Sequence, residues 1–245
     1  GAVLVCLEQL LARDDRRAGE PASAAAGWEG DCARLFDEVL CLEQMLTTGG
    51  GWQDQVGGLT GGIKLVTTRP GLPQELTVEP VALSPATSAR LAERLLLIYT
   101  GQQRLAKNLL RAIMGRWMAR DPEMVWMQGE IARLGLAMRD ALQRFDLDAF
   151  GRLLSDHWLI NQRMDPGCTN PFIDDLFRTM APYISGGKLA GAGGGGFVMA
   201  IARDRQAAAD LEQLLAARYP GAAVGVWPCA VPVAGLKITD DTGAL

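Results

Sequence analysis

Two clusters of glycine residues constrain what this chain can fold into. The first, at residues 49–51, lies directly before Trp52 and Asp54, at the end of an apolar-periodic segment. The second is the run Gly-Ala-Gly-Gly-Gly-Gly at residues 191–196. Glycine permits backbone conformations closed to other residues and lets a ligand approach the main chain closely. A carboxylate presented from such a turn, as Asp54 is, can accept a proton from a hydroxyl group.

Composition excludes several classes of function. The chain has 245 residues, is 49% hydrophobic and carries a net charge of −4, which suffices for one large domain or two small ones. It shows no basic stripe, so we expect no nucleic-acid partner. No apolar run approaches the roughly 18 residues of a membrane span. The five cysteines lack C-x-x-C spacing, which favours reduced thiols in the cytoplasm.

Hydrophobic periodicity and turn signals predict interleaved helices and strands without strict alternation. We expect helices near residues 2–13, 31–46, 85–94, 104–119, 122–145, 147–163, 170–184 and 206–218. We expect strands near residues 63–68, 76–83, 95–99, 188–190, 197–202, 223–228 and 236–238. This order predicts an α+β protein rather than a doubly wound sheet.

The second glycine cluster formally satisfies the pattern G-x-G-x-x-G. A dinucleotide site needs a strand before that pattern and a helix after it. Here the residues that follow, 197–200, are strand-like, so the context excludes a Rossmann site. Two interpretations stay open: a run of exposed backbone N–H groups near an anion, or a close-packed bend between two elements.

Two carboxylates near the first cluster are candidates for both structural and chemical roles. Asp54 fits either a proton acceptor or a solvated turn residue that caps a short helix beginning near Gln53. Glu43 lies on the preceding helix and fits either an ordinary exposed glutamate or a ligand of Mg²⁺. Mg²⁺ is often held by one or two carboxylates together with phosphate oxygens.

Taken together, these motifs resemble the GHMP sugar-kinase superfamily. Residues 49–58, Gly-Gly-Gly-Trp-Gln-Asp-Gln-Val-Gly-Gly, resemble the family's second motif in its L-fucokinase form. Residues 188–196, Lys-Leu-Ala-Gly-Ala-Gly-Gly-Gly-Gly, resemble its third motif. Residues 99–101 with 104–110 are similar to a segment of fucokinases and heptose-phosphate kinases. The resemblance covers nearly the whole chain in the same order.

The resemblance implies the GHMP kinase fold. Residues 1–84 would be the remaining part of an N-terminal, ATP-binding α+β domain, and residues 85–245 a C-terminal domain with an antiparallel sheet and a helical layer. The family's first motif, a loop that wraps the nucleotide phosphates, is absent, and the chain opens inside an apolar run without an N-cap. We therefore expect truncation before that loop, an inactive fragment, and a parent protein compatible with further domains fused upstream.

The resemblance also implies a reaction: ATP-dependent phosphorylation of the anomeric hydroxyl of L-fucose, with Mg²⁺, in the cytoplasm. Asp54 would be the catalytic carboxylate, and Glu43 would bind Mg²⁺. Residues of three segments would line the site. The expected sugar-binding residues are Gly51, Trp52, Gln53 and Arg104, and the expected loop beside the transferred phosphoryl group is Gly191, Ala192, Gly193, Gly194, Gly195 and Gly196.

Structural roles compete with some of these assignments. Trp52 fits core packing as well as a sugar pocket, and Arg104 fits a solvated helix start. Two other functions also compete. A heptose-phosphate kinase would need a basic pocket around Arg104 and Lys107, and a degenerate sugar-binding module would need no catalysis. For a kinase, Asp54 and residues 191–196 should converge within about 15 Å, since a hexose and one phosphoryl group must bridge them.

Overall fold

A computed structural model describes residues 32–45, 51–71, 74–102, 107–191, 193–220, 224–229 and 231. The described residues fall into two compact units. The first comprises those up to Pro80 together with Val231, and the second runs from Val81 to Cys229. The helix predicted for residues 2–13 and the strand predicted for 236–238 lie outside the described residues. The predicted domain boundary at residue 84 stays a prediction.

The first unit contains two helices and a hairpin. Its elements are α1 (Cys32–Met45), α2 (Gln53–Leu59), β1 (Lys64–Thr68) and β2 (Leu76–Pro80). The two strands pair antiparallel, with Val66 opposite Val78. Helix α1 and both strands are confirmed, although β2 ends at Pro80 rather than residue 83. Proline lacks the N–H that would extend the ladder.

The second unit combines a sheet with a helical layer. Its elements are α3 (Pro85–Arg94), β3 (Leu95–Thr100), α4 (Lys107–Met118), α5 (Pro122–Gln143), α6 (Leu147–Met164), a 3₁₀ turn (Pro166–Cys168), α7 (Pro171–Met180), β4 (Ile184–Leu189), β5 (Phe197–Ala202), α8 (Arg205–Arg218) and β6 (Val224–Pro228). The four strands have the order β4-β5-β3-β6, and every pair is antiparallel. The predicted α+β class is confirmed.

Alternation along the strands places one face of the sheet against the helices. Leu96 and Ile98 on β3 and Val198 on β5 are buried in a cluster shared with α6, α7 and α8. The helical side chains of that cluster include Trp158, Ile173, Leu176, Met180, Leu211 and Leu215. This cluster holds the ends of β4 and β5, and the glycine segment that joins them, on the edge of a packed layer.

Proline and capping residues fix the helix boundaries. Asp121 caps α5 and Asn170 caps α7, and in each case a proline occupies the first helical position. Helix α7 ends at Met180, four residues before the predicted end, and β4 begins at Ile184. The cause is Pro182: Ala181 still has helical backbone angles, but proline has no N–H with which to continue the helical hydrogen bonds.

Helix α6 lies directly on β4 because both surfaces are glycine there. A side chain at Gly151 would meet the backbone of Ser185 at 3.0 Å, and a side chain at Gly186 would overlap the Gly151 carbonyl. A buried guanidinium strengthens the same junction. Arg94 donates from Nε to the Ala202 carbonyl at 2.7 Å and is ion-paired with Asp148 at the start of α6.

Within the described residues, no helix combines the length and the apolarity that crossing a bilayer requires.

A matched pair of glycine substitutions tests the α6–β4 contact. Gly186→Ala should lower the free energy of unfolding by about 2–3 kcal/mol, because the added methyl group overlaps backbone. Gly129→Ala should instead raise it by about 0.5–1 kcal/mol, since Gly129 lies in the interior of α5 with open space around it. Urea denaturation followed by circular dichroism measures both. Equal tolerance of the two changes would contradict the packing described.

Candidate functional site

Asp54 is an exposed carboxylate in the first turn of α2. The helix begins at Gln53, as expected, but its N-cap is Trp52 and no side chain caps it. The capping role considered for Asp54 is therefore not observed. Across the part of the chain that the structure describes, the Asp54 carboxylate makes no hydrogen bond and no ion pair.

The residues around Asp54 differ sharply in exposure. Gly51 and Gln53 are exposed and Trp52 is half-buried, whereas Gln55 is only 3% exposed. Neither amide atom of Gln55 has a hydrogen-bond partner in the part of the chain that the structure describes. Buried polar groups nearly always find partners, so such an amide is unusual. Sequence reasoning missed Gln55, because the pattern of a seven-residue helix does not show which face is buried.

Three of the predicted site residues lie beyond what the structure describes in full. Glu43 belongs to α1, but its side chain is outside the described atoms, and Arg104 and Ala192 are outside the described residues. Within the described ranges, no group of three or more His, Cys, Asp or Glu side chains could hold a metal ion. The Mg²⁺ role of Glu43 and the sugar contact of Arg104 stay predictions.

The glycine loop, residues 191–196, joins β4 to β5 as a tight bend. Two of its glycines are required by close approach to other backbone. A side chain at Gly193 would lie 2.7 Å from the Cys168 carbonyl oxygen, and one at Gly195 would lie 2.7 Å from the Gln102 carbonyl oxygen. Both glycines also have positive φ angles, of 93° and 155°. Packing thus requires glycine at positions 193 and 195.

Alternate amides of the glycine loop are used internally. The Gly194 N–H donates to the Cys168 carbonyl, and the Gly196 N–H donates to the Gln102 carbonyl at 2.9 Å. In the described part of the chain, the Gly193 and Gly195 N–H groups have no partner. The loop is therefore a close-packed bend that also leaves unpaired donors, and the expected place of these donors beside an anion stays a prediction.

Thr100 fixes the exit of the loop. This buried residue donates from its backbone N–H and from its Oγ1 to the Gly196 carbonyl, both at 2.9 Å. The same hydroxyl accepts the Gln102 N–H at 3.3 Å. Gly196 is therefore held through both its N–H and its carbonyl group. Sequence reasoning assigned no role to Thr100 or Gln102, since both contacts join distant parts of the chain.

Lys188 lies on the strand that leads into the loop, and the histidine of this chain, His157, lies on the helix that packs against that strand. Burial lowers the pKa of Lys188, which is near the end of β4. His157 lies on α6, and burial, with a contribution from the positive charge of Lys188, lowers its pKa to about 4. Among the described residues, the Nδ1 atom of His157 has no hydrogen-bond partner. The imidazole is therefore neutral at neutral pH and adds no charge beside Lys188.

Asp54 belongs to the first unit and the glycine loop to the second. Their expected convergence within one active site stays a prediction.

Known proteins match both the sequence and the fold. Residues 138–221 match the family model described as GHMP kinases C terminal, a region that runs from α5 to beyond α8 and includes the glycine loop. The Arabidopsis thaliana bifunctional fucokinase/GDP-fucose pyrophosphorylase is 44% identical over 177 residues, which are 72% of this chain and 17% of that protein.

A bacterial relative and a solved structure agree with these matches. The Bacteroides fragilis L-fucokinase/L-fucose-1-P guanylyltransferase is 35% identical over 194 residues, which are 79% of this chain and 20% of that protein. The chain thus spans about a fifth of the length of these relatives. The L. major mevalonate kinase, solved with R-mevalonate, has a TM-score of 0.57 and 22% identity, covering 71% of this chain and 51% of that chain. That likeness concerns the fold alone.

Proposed function

We propose that this chain, which belongs to the GHMP kinase superfamily, is part of the kinase region of an L-fucokinase. The reaction would transfer a phosphoryl group from ATP to the anomeric hydroxyl of L-fucose, giving fucose 1-phosphate in the cytoplasm. The expected partners are the sugar and ATP rather than nucleic acid or a membrane. The observation that carries this proposal is the 44% identity to a protein named as a fucokinase, over 72% of the chain.

Asp54 supports the proposal as the residue suited to the acceptor hydroxyl. Its carboxylate is exposed, and among the described residues it is committed to no ion pair, so it is free to accept a hydrogen bond. Asp54 would orient the sugar hydroxyl and accept its proton. Phosphoryl transfer depends mostly on positioning and charge neutralisation, so one well-placed carboxylate can contribute much of what the protein supplies.

The glycine loop supports the proposal through its unpaired amides. Gly193 and Gly195 have N–H groups without partners in the described structure, and such donors fit phosphate oxygens. They would stabilise negative charge on the transferred group. When bound, ATP supplies the phosphoryl group, and Mg²⁺ neutralises part of its charge. Glu43 would hold the metal, as the sequence predicts.

Substrate selectivity tests the proposed function. The full-length protein should release ADP from Mg-ATP in the presence of L-fucose at a rate at least tenfold above that with D-arabinose, D-galactose or a heptose 7-phosphate. A coupled assay for ADP measures all four rates under one condition. Faster turnover of the heptose phosphate than of L-fucose would indicate a heptose-phosphate kinase instead of a fucokinase. If no sugar stimulates ADP release, a sugar-binding module without catalysis would be favoured.

An isosteric change at Asp54 tests its role. Asp54→Asn in the full-length protein should lower kcat for L-fucose by at least about 100-fold, because the amide cannot accept the hydroxyl proton. Sugar binding, measured by calorimetry, should change little, since the amide keeps the size and a hydrogen-bonding oxygen. Asp210→Asn on α8, an exposed aspartate of the second unit, is the matched control and should leave kcat unaltered. Near-normal turnover by Asp54→Asn would remove Asp54 from the mechanism.

A further inference from the structure

A hydrogen bond between two side chains joins the loop after β3 to the start of α7. Asn170 donates from Nδ2 to Oε1 of Gln102 at 2.8 Å, across 68 positions of sequence. The Oδ1 atom of Asn170 accepts the N–H groups of Phe172 and Ile173, both at 3.0 Å. Asn170 therefore uses one end of its amide to cap α7 and the other end to hold Gln102.

Both partners of this bond lie next to the carbonyl groups that hold the glycine loop. The Gln102 carbonyl accepts the Gly196 N–H, and Cys168, two positions before Asn170, accepts the Gly194 N–H. The same two carbonyl oxygens lie where side chains at Gly195 and Gly193 would be. The two supports of the loop thus come from separate segments of the chain, and the Gln102–Asn170 hydrogen bond ties those segments together.

Both partners of the Gln102–Asn170 hydrogen bond are anchored to buried parts of the second unit. Asn170 opens α7, whose inner residues Ile173, Leu176 and Met180 are fully buried in the core of the second unit. Gln102 follows Thr100, which is buried and bonded to Gly196. The hydrogen bond therefore transmits the position of the packed core to the loop, which has few side chains of its own to hold it.

We propose that Gln102 and Asn170 are positioning residues for the glycine loop, an inference that rests on the kinase function proposed above. Their hydrogen bond keeps the carbonyl groups of Gln102 and Cys168 at the spacing that binds the amides of Gly196 and Gly194. Gly193 and Gly195 are then left as the donors toward the phosphoryl group. Because a displacement of about 1 Å at such a site can cost roughly 100-fold in rate, this spacing controls kcat.

Two substitutions break the hydrogen bond while sparing the cap and the fold. Asn170→Ser keeps an oxygen that caps α7, since serine is about as good a cap as asparagine, but it is too short to reach Gln102. Gln102→Met keeps the length of the side chain and removes its acceptor. Asp204→Ser is the matched control, because Asp204 caps α8 and, among the described residues, does not bond to the glycine loop.

The first measurement is hydrogen exchange of backbone amides in the full-length protein. Asn170→Ser and Gln102→Met should each speed exchange at Gly194 and Gly196 by about tenfold or more. Asp204→Ser should leave the exchange rates of these two amides unchanged. The double variant should be no faster than either single variant, because both remove the same bond. Unchanged exchange at both amides in Asn170→Ser and Gln102→Met would overturn the proposal, as would equal acceleration in the control.

The second measurement separates positioning from general stability. With L-fucose, Asn170→Ser and Gln102→Met should each lower kcat by about tenfold or more and change the KM for the sugar less than about threefold. Asp204→Ser should alter neither, even if its melting temperature falls. A loss confined to KM would overturn the positioning role. If the wild-type protein phosphorylates no sugar, the kinase proposal fails by itself. Hydrogen exchange then still decides whether the Gln102–Asn170 hydrogen bond positions the glycine loop.

Discussion

The candidate site of the second unit depends on two hydrogen bonds, which two amides of the glycine loop donate to two carbonyl groups. Gly194 and Gly196 donate to Cys168 and Gln102, which belong to segments far apart in sequence. Backbone so close to other backbone leaves no room for side chains at Gly193 and Gly195, and the other described glycines of the loop have positive φ angles that favour glycine. A loop built in this way would be entropically costly without its carbonyl partners, so its shape follows from the packing of α7 and β3.

Contacts between the sheet and the helices position the two strands that the glycine loop joins. The sheet is antiparallel throughout, so the chain reverses direction between β4 and β5, and the glycine loop makes that turn. Helix α6 contacts β4 through Gly151 and Gly186, and Arg94 ties the end of β5 to the start of α6. These contacts hold the end of the β4–β5 pair where Ile184 lies opposite Ala202, while the Cys168 and Gln102 carbonyl groups hold the loop itself. A rigid base of this kind suits a site whose chemistry is mostly positioning.

Local signals predicted much of this arrangement and none of its long-range contacts. Hydrophobic periodicity and turn signals predicted the helices, and β3 and β5 were visible as apolar runs. Asp54 and the glycine loop were chosen as candidate site residues because carboxylates after glycine turns and repeated glycines are conspicuous. The roles of Gln102 and Asn170 depend on a bond across 68 positions, and the burial of Gln55 depends on packing. A single sequence carries no local trace of either.

The central claim is that alternate glycine-loop amides face different partners. Amide proton and nitrogen shifts of the full-length protein, recorded by NMR as L-fucose 1-phosphate and Mg-ADP are added, test it directly. The account predicts the largest shifts in the loop at Gly193 and Gly195, while Gly194 and Gly196 keep the shifts of amides bonded within the protein. Larger shifts at Gly194 and Gly196 than at their neighbours, or no shift at any of the four, would contradict it.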